Sequence, residues 1–135
     1  MIFKGYISSR KLIDGTLIHQ KVQNLVIRDS CNKRGFQYKL SFTEYGIKGC
    51  YLNYNEMLMD FKKEKFDGVA FYSLAQLPEK KSLRNNLYKI LKTKRKKALF
   101  SLEDILVSDE KDIINIERLV KLKFLIKKGP KKIII

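Results

Sequence analysis

Apolar positions along the chain switch repeatedly between a spacing of two and a spacing of three to four, and each switch marks a change of element. Ile2 to Ser8 reads as a strand, followed by a polar loop with Asp14 and Gly15 as turn residues. Ile18, Val22, Leu25 and Val26 then fall at i, i+4, i+7 and i+8, which predicts an amphipathic helix that Gly35 can end in the left-handed conformation. Phe36, Tyr38, Leu40 and Phe42 alternate with Gln37, Lys39, Ser41 and Thr43, the pattern of an edge strand with one dry face. Asn53 and Glu56 resemble a capping box, and Tyr54, Met57, Leu58 and Phe61 form the stripe of a second helix.

Asp67 and Gly68 turn the chain into Val69, Ala70, Phe71 and Tyr72, an unbroken apolar run expected of a central parallel strand. Pro78 suits the first position of a third helix, whose buried side is Leu83, Leu87, Ile90 and Leu91. Ala98 to Leu102 makes a fourth strand. Ser108 or Asp109 can cap a last helix carrying Ile113, Ile116 and Val120, with acids at its start and bases at its end. Strands alternate with helices and no hairpin signal joins successive strands, so the expected fold is α/β: a single-domain, open, mainly parallel four-stranded sheet flanked by helices in a three-layer, flavodoxin-like architecture. The domain is residues 1–128, and 129–135 is a basic and apolar tail, read as an added strand, a dimer contact or a loose end.

Composition changes this picture little. A chain of 135 residues supports one core, with roughly 70% of its extended surface buried. No apolar run approaches the ~20 residues that a bilayer crossing needs, and MIFKGYISS lacks a signal-like pattern, so the expected location is cytoplasmic. Cys31 and Cys50 form no C-x-x-C pair and read as reduced and structural. His19 stands alone, which argues against zinc, while a carboxylate-held magnesium stays open. Neither G-x-G-x-x-G nor G-x-x-x-x-G-K-[ST] occurs, and no cofactor is assigned.

Charge adds more. Residues 80 to 97 hold nine basic side chains and no acidic ones, and residues 118 to 135 hold seven and none. Taking these sixteen from the 29 leaves 13 basic against 14 acidic side chains, so the net +15 is segregated. Such a surface attracts nucleic acid, anionic lipid or phosphorylated small molecules. Lysine outnumbers arginine 23 to 6 and isoleucine occurs 15 times, so an AT-rich coding bias producing a merely solvated face is the competing explanation.

Open parallel sheets bind ligands at the carboxyl ends of their strands. Each expected strand is followed by polar residues: Ser8, Ser9 and Arg10; Glu44 and Tyr45; Tyr72, Ser73 and Gln76; Glu103 and Asp104. Glu44 and Glu103 are candidate acids or bases if burial raises their pKa, with Tyr72 and Ser73 as further catalytic candidates. Ser8, Ser9, Arg10, Arg28, Tyr45 and Gln76 are the ligand-binding candidates, the arginines gripping a phosphate or carboxylate bidentately. Structural alternatives exist for each: Ser73 and Gln76 satisfying backbone, the tyrosines bounding the core, Glu103 pairing with a lysine, and Arg28 solvated off the main stripe. A serine nucleophile lacks support, because there is no G-x-S-x-G elbow and His19 has no evident carboxylate partner.

Five ordered blocks, GYISSR, VQNLVIRDSC, SFTEYGIKGCY, DGVAFYSLAQLP and LFSLED, together resemble the sporadic carbohydrate-cluster proteins of bacterial surface-polysaccharide gene clusters, over about residues 5 to 115. The resemblance implies a role in making or decorating a cell-surface glycan and brings no reaction with it. The element order is also similar to the catalytic domain of serine recombinases. There the first strand leads into a nucleophilic serine and the third into an arginine-rich loop; here Arg10 falls where that serine would be, and SLAQLPEK has no arginine. That resemblance implies a shared fold without recombination.

Three functional readings follow. The first is a cytoplasmic protein that binds, or also converts, a phosphorylated or nucleotide-activated sugar-type metabolite at the carboxyl edge. The second is a resolvase-like nucleic-acid-binding module using Lys80, Lys81, Arg84, Lys89, Lys92, Lys94, Arg95, Lys96 and Lys97. The third is an accessory protein that docks on an anionic membrane surface or a membrane-bound glycan enzyme. A homodimer through a sheet edge or the last helix is compatible with all three.

Overall fold

The structure, a computed structural model, describes residues 1–9, 12, 17–44, 51–63 and 66–128. Five strands and four main helices follow one another as β1 (Ile2–Ser8), α1 (Gln20–Lys33), β2 (Gln37–Glu44), α2 (Leu52–Lys62), β3 (Gly68–Phe71), α3 (Lys81–Lys94), β4 (Lys97–Phe100), β5 (Ile105–Val107) and α4 (Glu110–Lys128). They build one sheet in the order β2-β1-β3-β4-β5. The pairs β1–β2, β1–β3 and β3–β4 are parallel, and β5 runs antiparallel to β4.

β3 lies at the centre, as its unbroken apolar run requires. Its side chains alternate: Val69 and Phe71 enter one core with Tyr6, Ala98 and Phe100, while Ala70 and Tyr72 enter another with Phe3, Ile7 and Leu99. The first core is covered by α2, α3 and α4, through Tyr54, Met57 and Phe61, Leu87 and Leu91, and Ile113, Ile116 and Val120. The second is covered by α1 through Ile27 and Cys31. Three layers result, as expected. Burial pushes the Cys31 thiol up to about 11, so it stays protonated and packs as an apolar group.

The structure departs from the sequence reading in four places. The inward row of α1 is Gln23, Ile27 and Cys31, whereas Val22 is 46% and Leu25 62% exposed. The helix is rotated because its first inward residue is polar, a choice that no hydrophobic period reveals. A fifth strand exists: the turn after β4 uses Asp104 at φ 55° instead of glycine, so the hairpin carried no glycine signature. α2 begins at Leu52 with Tyr51 at its N-cap and no side-chain cap, so Asn53 and Glu56 do not form its capping box. Pro78 precedes α3 without starting it, because a 3-10 turn, Leu74–Gln76, comes between.

Other local signals were read correctly. Gly35 closes α1 at φ +73°, with Phe36 N–H donating to Cys31 and Gly35 N–H to Asn32. Asp109 caps α4: its carboxylate accepts from Asp112 N–H at 2.9 Å while Asp112 accepts in return from Ser108 N–H at 3.1 Å. His19, which the sequence reading did not place at a helix end, caps α1, its ring nitrogen accepting from Lys21 N–H at 3.1 Å. The Asp14–Gly15 turn, Cys50 and the tail lie outside the described residues. Among those residues no helix is long and apolar enough to cross a membrane, and no cluster of three metal-ligating side chains occurs.

Gly68 gives a test of the packing. A Cβ there would meet the ring of buried Phe3, which is itself stacked on Phe36 at 4.4 Å and has nowhere to retreat. Gly68→Ala is expected to destabilise by about 1–3 kcal/mol, read as a lower denaturant midpoint with an unchanged slope.

Candidate functional site

Parallel strands bring the polar ends together at one edge of the sheet. Ser8 and Glu44 are register partners at the ends of β1 and β2. Next to them runs a buried network of two glutamines. Gln23, one turn into α1, donates from Nε2 to the carbonyls of Ser8 at 2.7 Å and Ile18 at 2.8 Å. Its Oε1 accepts from Ser8 N–H at 3.1 Å and from the Gln76 amide at 2.7 Å. Gln76 completes the chain by accepting from Tyr72 N–H at 2.6 Å. The ends of β1 and β3 and the start of α1 are thus tied by amide groups with no access to water.

A second set of bonds ties β3 to the β4–β5 turn. Ser73 donates to Glu103 at 2.7 Å, and the other Glu103 oxygen accepts from Leu74 N–H at 3.1 Å. Ser73 also accepts from Ala75 N–H at 3.1 Å, and Lys123 of α4 pairs with Glu103 at 3.4 Å. Asp104 turns away and pairs with Arg34 at 3.0 Å.

The candidates therefore separate. Ser8, Ser73, Gln76 and Glu103 come together at the carboxyl edge, Ser73, Gln76 and Glu103 with their side chains bonded internally. The Ser8 hydroxyl is buried without a partner among the described residues, as is that of Ser101. Tyr72 packs in the core beneath α1, and Ser9 is exposed. Glu44 is placed only through its backbone, while Arg10 and Tyr45 lie outside the described residues. Arg28 is not at this edge: it lies two turns along α1, its guanidinium 5.7 Å over the ring of Tyr38, whose hydroxyl donates to Asn24. Gln23 went unnoticed in the sequence. Its only signal is a glutamine in register with Ile27 and Cys31.

The basic residues assemble elsewhere. α3 and α4 border an open groove of about 570 Å³, lined by Lys81, Lys89 and Lys92 from one helix and Arg118 and Lys121 from the other. Two of the nine cations counted in residues 80–97 are unavailable to a ligand. Lys96, 7% exposed, donates to the Phe66 carbonyl at 2.5 Å, and Arg84, 3% exposed, is turned inward. Arg84 grips Glu117 through Nε at 2.7 Å and Nη2 at 3.1 Å, and the carbonyls of Pro78 and Glu79 through Nη1. Tyr88 donates to the same carboxylate at 2.5 Å. Burial alone would raise the Glu117 pKa, but hydrogen bonds from Arg84 and Tyr88 and the charges of Arg84 and Lys81 hold it below the usual carboxylate value. Burial, reinforced by Glu117, pushes the Tyr88 hydroxyl far up, so it remains a donor.

No protein-family model matches the sequence, and no curated protein does either. Solved structures do match. The N-terminal catalytic domain of TP901-1 integrase superposes with a TM-score of 0.62 at 19% identity, over 88% of this chain and 92% of that one. A resolvase family site-specific recombinase from Streptococcus pneumoniae gives 0.64 at 15% identity, over 90% and 87%. The fold is resolvase-like. At such identities the likeness concerns the backbone arrangement alone.

Two outcomes test this geometry. Gln23→Leu strands the Ser8 backbone and the Gln76 amide, so a loss of about 2–4 kcal/mol is expected in chemical denaturation. The Glu117 contribution, from a depressed carboxyl, is fully present above the unfolded-chain value of about 4.3 and is lost as pH falls through the lower folded value. Wild type should lose stability in that acid window more steeply than Glu117→Gln, by denaturant midpoints measured from pH 6 to 3.

Proposed function

We propose that this chain is a nucleic-acid-binding module on a resolvase-like fold, taking phosphates in the groove between α3 and α4 and carrying no strand-exchange chemistry. One observation carries the reading: five exposed cations from two segments distant in sequence line a single groove. Coding bias accounts for many lysines but not for their meeting across two helices. The neighbouring structures are an integrase and a site-specific recombinase, which favours a polynucleotide over a sugar as the partner.

Several features argue for binding without recombination. Arg10 stands where a nucleophilic serine would be expected, and the loop after Tyr72 supplies Gln76 and Glu79 but no arginine. At the carboxyl edge, Ser73, Gln76 and Glu103 bond to one another's surroundings. The carbohydrate reading finds no support in the comparisons.

The cations are mostly lysines, compact charges without arginine's planar fork, which suits contact with the backbone of a polynucleotide irrespective of sequence. From Lys81 to Lys92 the helix rises about 16 Å, close to five phosphate steps along one strand of a duplex at about 3.4 Å each. Five phosphate contacts predict a log–log salt slope near −4.5 for duplex DNA and near −3.5 for a single strand.

Fluorescence anisotropy with labelled duplexes and single strands of unrelated sequence, at about 50–200 mM salt, measures this directly. Lys89→Gln and Lys121→Gln should each reduce the slope by about 1 and weaken all sequences alike. No retention of either polymer at low salt removes the reading; flotation on anionic but not neutral vesicles under the same conditions would transfer the groove to a membrane role.

A further inference from the structure

The groove's cations surround one carboxylate. Three donors converge on Glu117: Nε and Nη2 of Arg84 at 2.7 and 3.1 Å and the Tyr88 hydroxyl at 2.5 Å. Lys81 adds positive potential beside them. A planar arginine fork supplemented by a hydroxyl and a lysine is the donor set that grips two oxygens of a phosphate. The opposite edge of Arg84 is fastened to the carbonyls of Pro78 at 2.9 Å and Glu79 at 2.7 Å, so the fork is aimed at the groove independently of its present occupant.

We propose that Glu117 is a resident anion filling a phosphate-binding position on the groove floor, and that it weakens polyanion binding by keeping that position closed. The role of a polynucleotide as the natural competitor rests on the proposed function, whereas the anion site itself rests on the bonds just described. Glu117 is well placed for this role. It lines the groove and its side chain retains 14% exposure, against 4% for Arg84 behind it. An incoming phosphate at this position would meet the same three donors, because both Arg84 and Tyr88 are anchored in the core side of α3. The groove would then present three donors more than its five exposed cations, but only after the carboxylate is displaced or removed.

The test uses the full chain and inorganic phosphate as the probe, in thermal unfolding with chloride at matched ionic strength as the reference. Glu117→Ala is expected to gain a saturable stabilisation of about 4 °C at tenfold excess of phosphate over its dissociation constant. Glu117→Gln, which keeps an acceptor oxygen for Arg84 and Tyr88 and decides the matter should the alanine variant not fold, should shift in the same direction. Wild type and Glu110→Gln, which removes an equal charge from the exposed first turn of α4, should show no saturable response. In duplex binding, Glu117→Gln should steepen the salt slope by about 1 relative to wild type. Phosphate responses that are absent from both Glu117 variants, or as large in wild type or Glu110→Gln as in those variants, overturn the proposal. Wild-type DNA retention bears on the groove's partner and the phosphate response of the variants on the resident anion, so either can fail alone.

Discussion

Two helices rich in positive charge lie side by side in this protein, and an arginine turned inward holds them there. Arg84 contributes nothing to the exposed charge of α3. It spends its donors on Glu117 of α4 and on the carbonyls that lead into its own helix. Without an acid between them, the lysines of α3 and the cations of α4 would repel across the groove. A buried pair of this kind is weak evidence for net stability, because desolvation offsets most of the attraction, but loss of one partner leaves a charge stranded at a cost of about 3–5 kcal/mol. Its main effect is therefore geometric: α3 and α4 have one register, and the exposed cations have one arrangement.

The carboxyl edge of the sheet follows the opposite logic. In an open parallel sheet that edge offers polar groups to a ligand, and the same residue types are present here. Gln23 and Gln76, however, close on each other and on the strand ends, and Ser73 closes on Glu103. Polar side chains at strand ends are needed for two different jobs, receiving a ligand and satisfying backbone that the sheet no longer pairs. Among the described residues these do the second.

Much of this was legible in the chain and some was not, for definable reasons. Period-two and near-3.6 patterns depend only on which side chains avoid water, so the layers, the central place of β3 and the parallel strands came through. α1 was misread because a hydrophobic period cannot register Gln23, a residue buried for its hydrogen bonds. β5 was missed because Asp104 adopts a left-handed conformation without being glycine. Counting charge located the segments that border the groove but could not distinguish Lys89, which faces solvent, from Lys96 and Arg84, which do not; that difference is set by neighbours more than 25 residues away, Phe66 and Glu117. The convergence of Ser8, Ser73, Gln76 and Glu103 was readable from strand direction, while their mutual bonds required atoms.

The three-residue strand β5 has an effect out of proportion to its size. Because it reverses the chain, α4 begins near the amino edge of the sheet and reaches Glu103 at the carboxyl edge through Lys123. α3 travels the other way, from the end of β3 to the start of β4. The two macrodipoles consequently oppose each other, an attractive arrangement for neighbouring helices whose side chains carry like charge. A parallel crossover in place of the hairpin would have aligned them, and the positive face would have been assembled against its own backbone field.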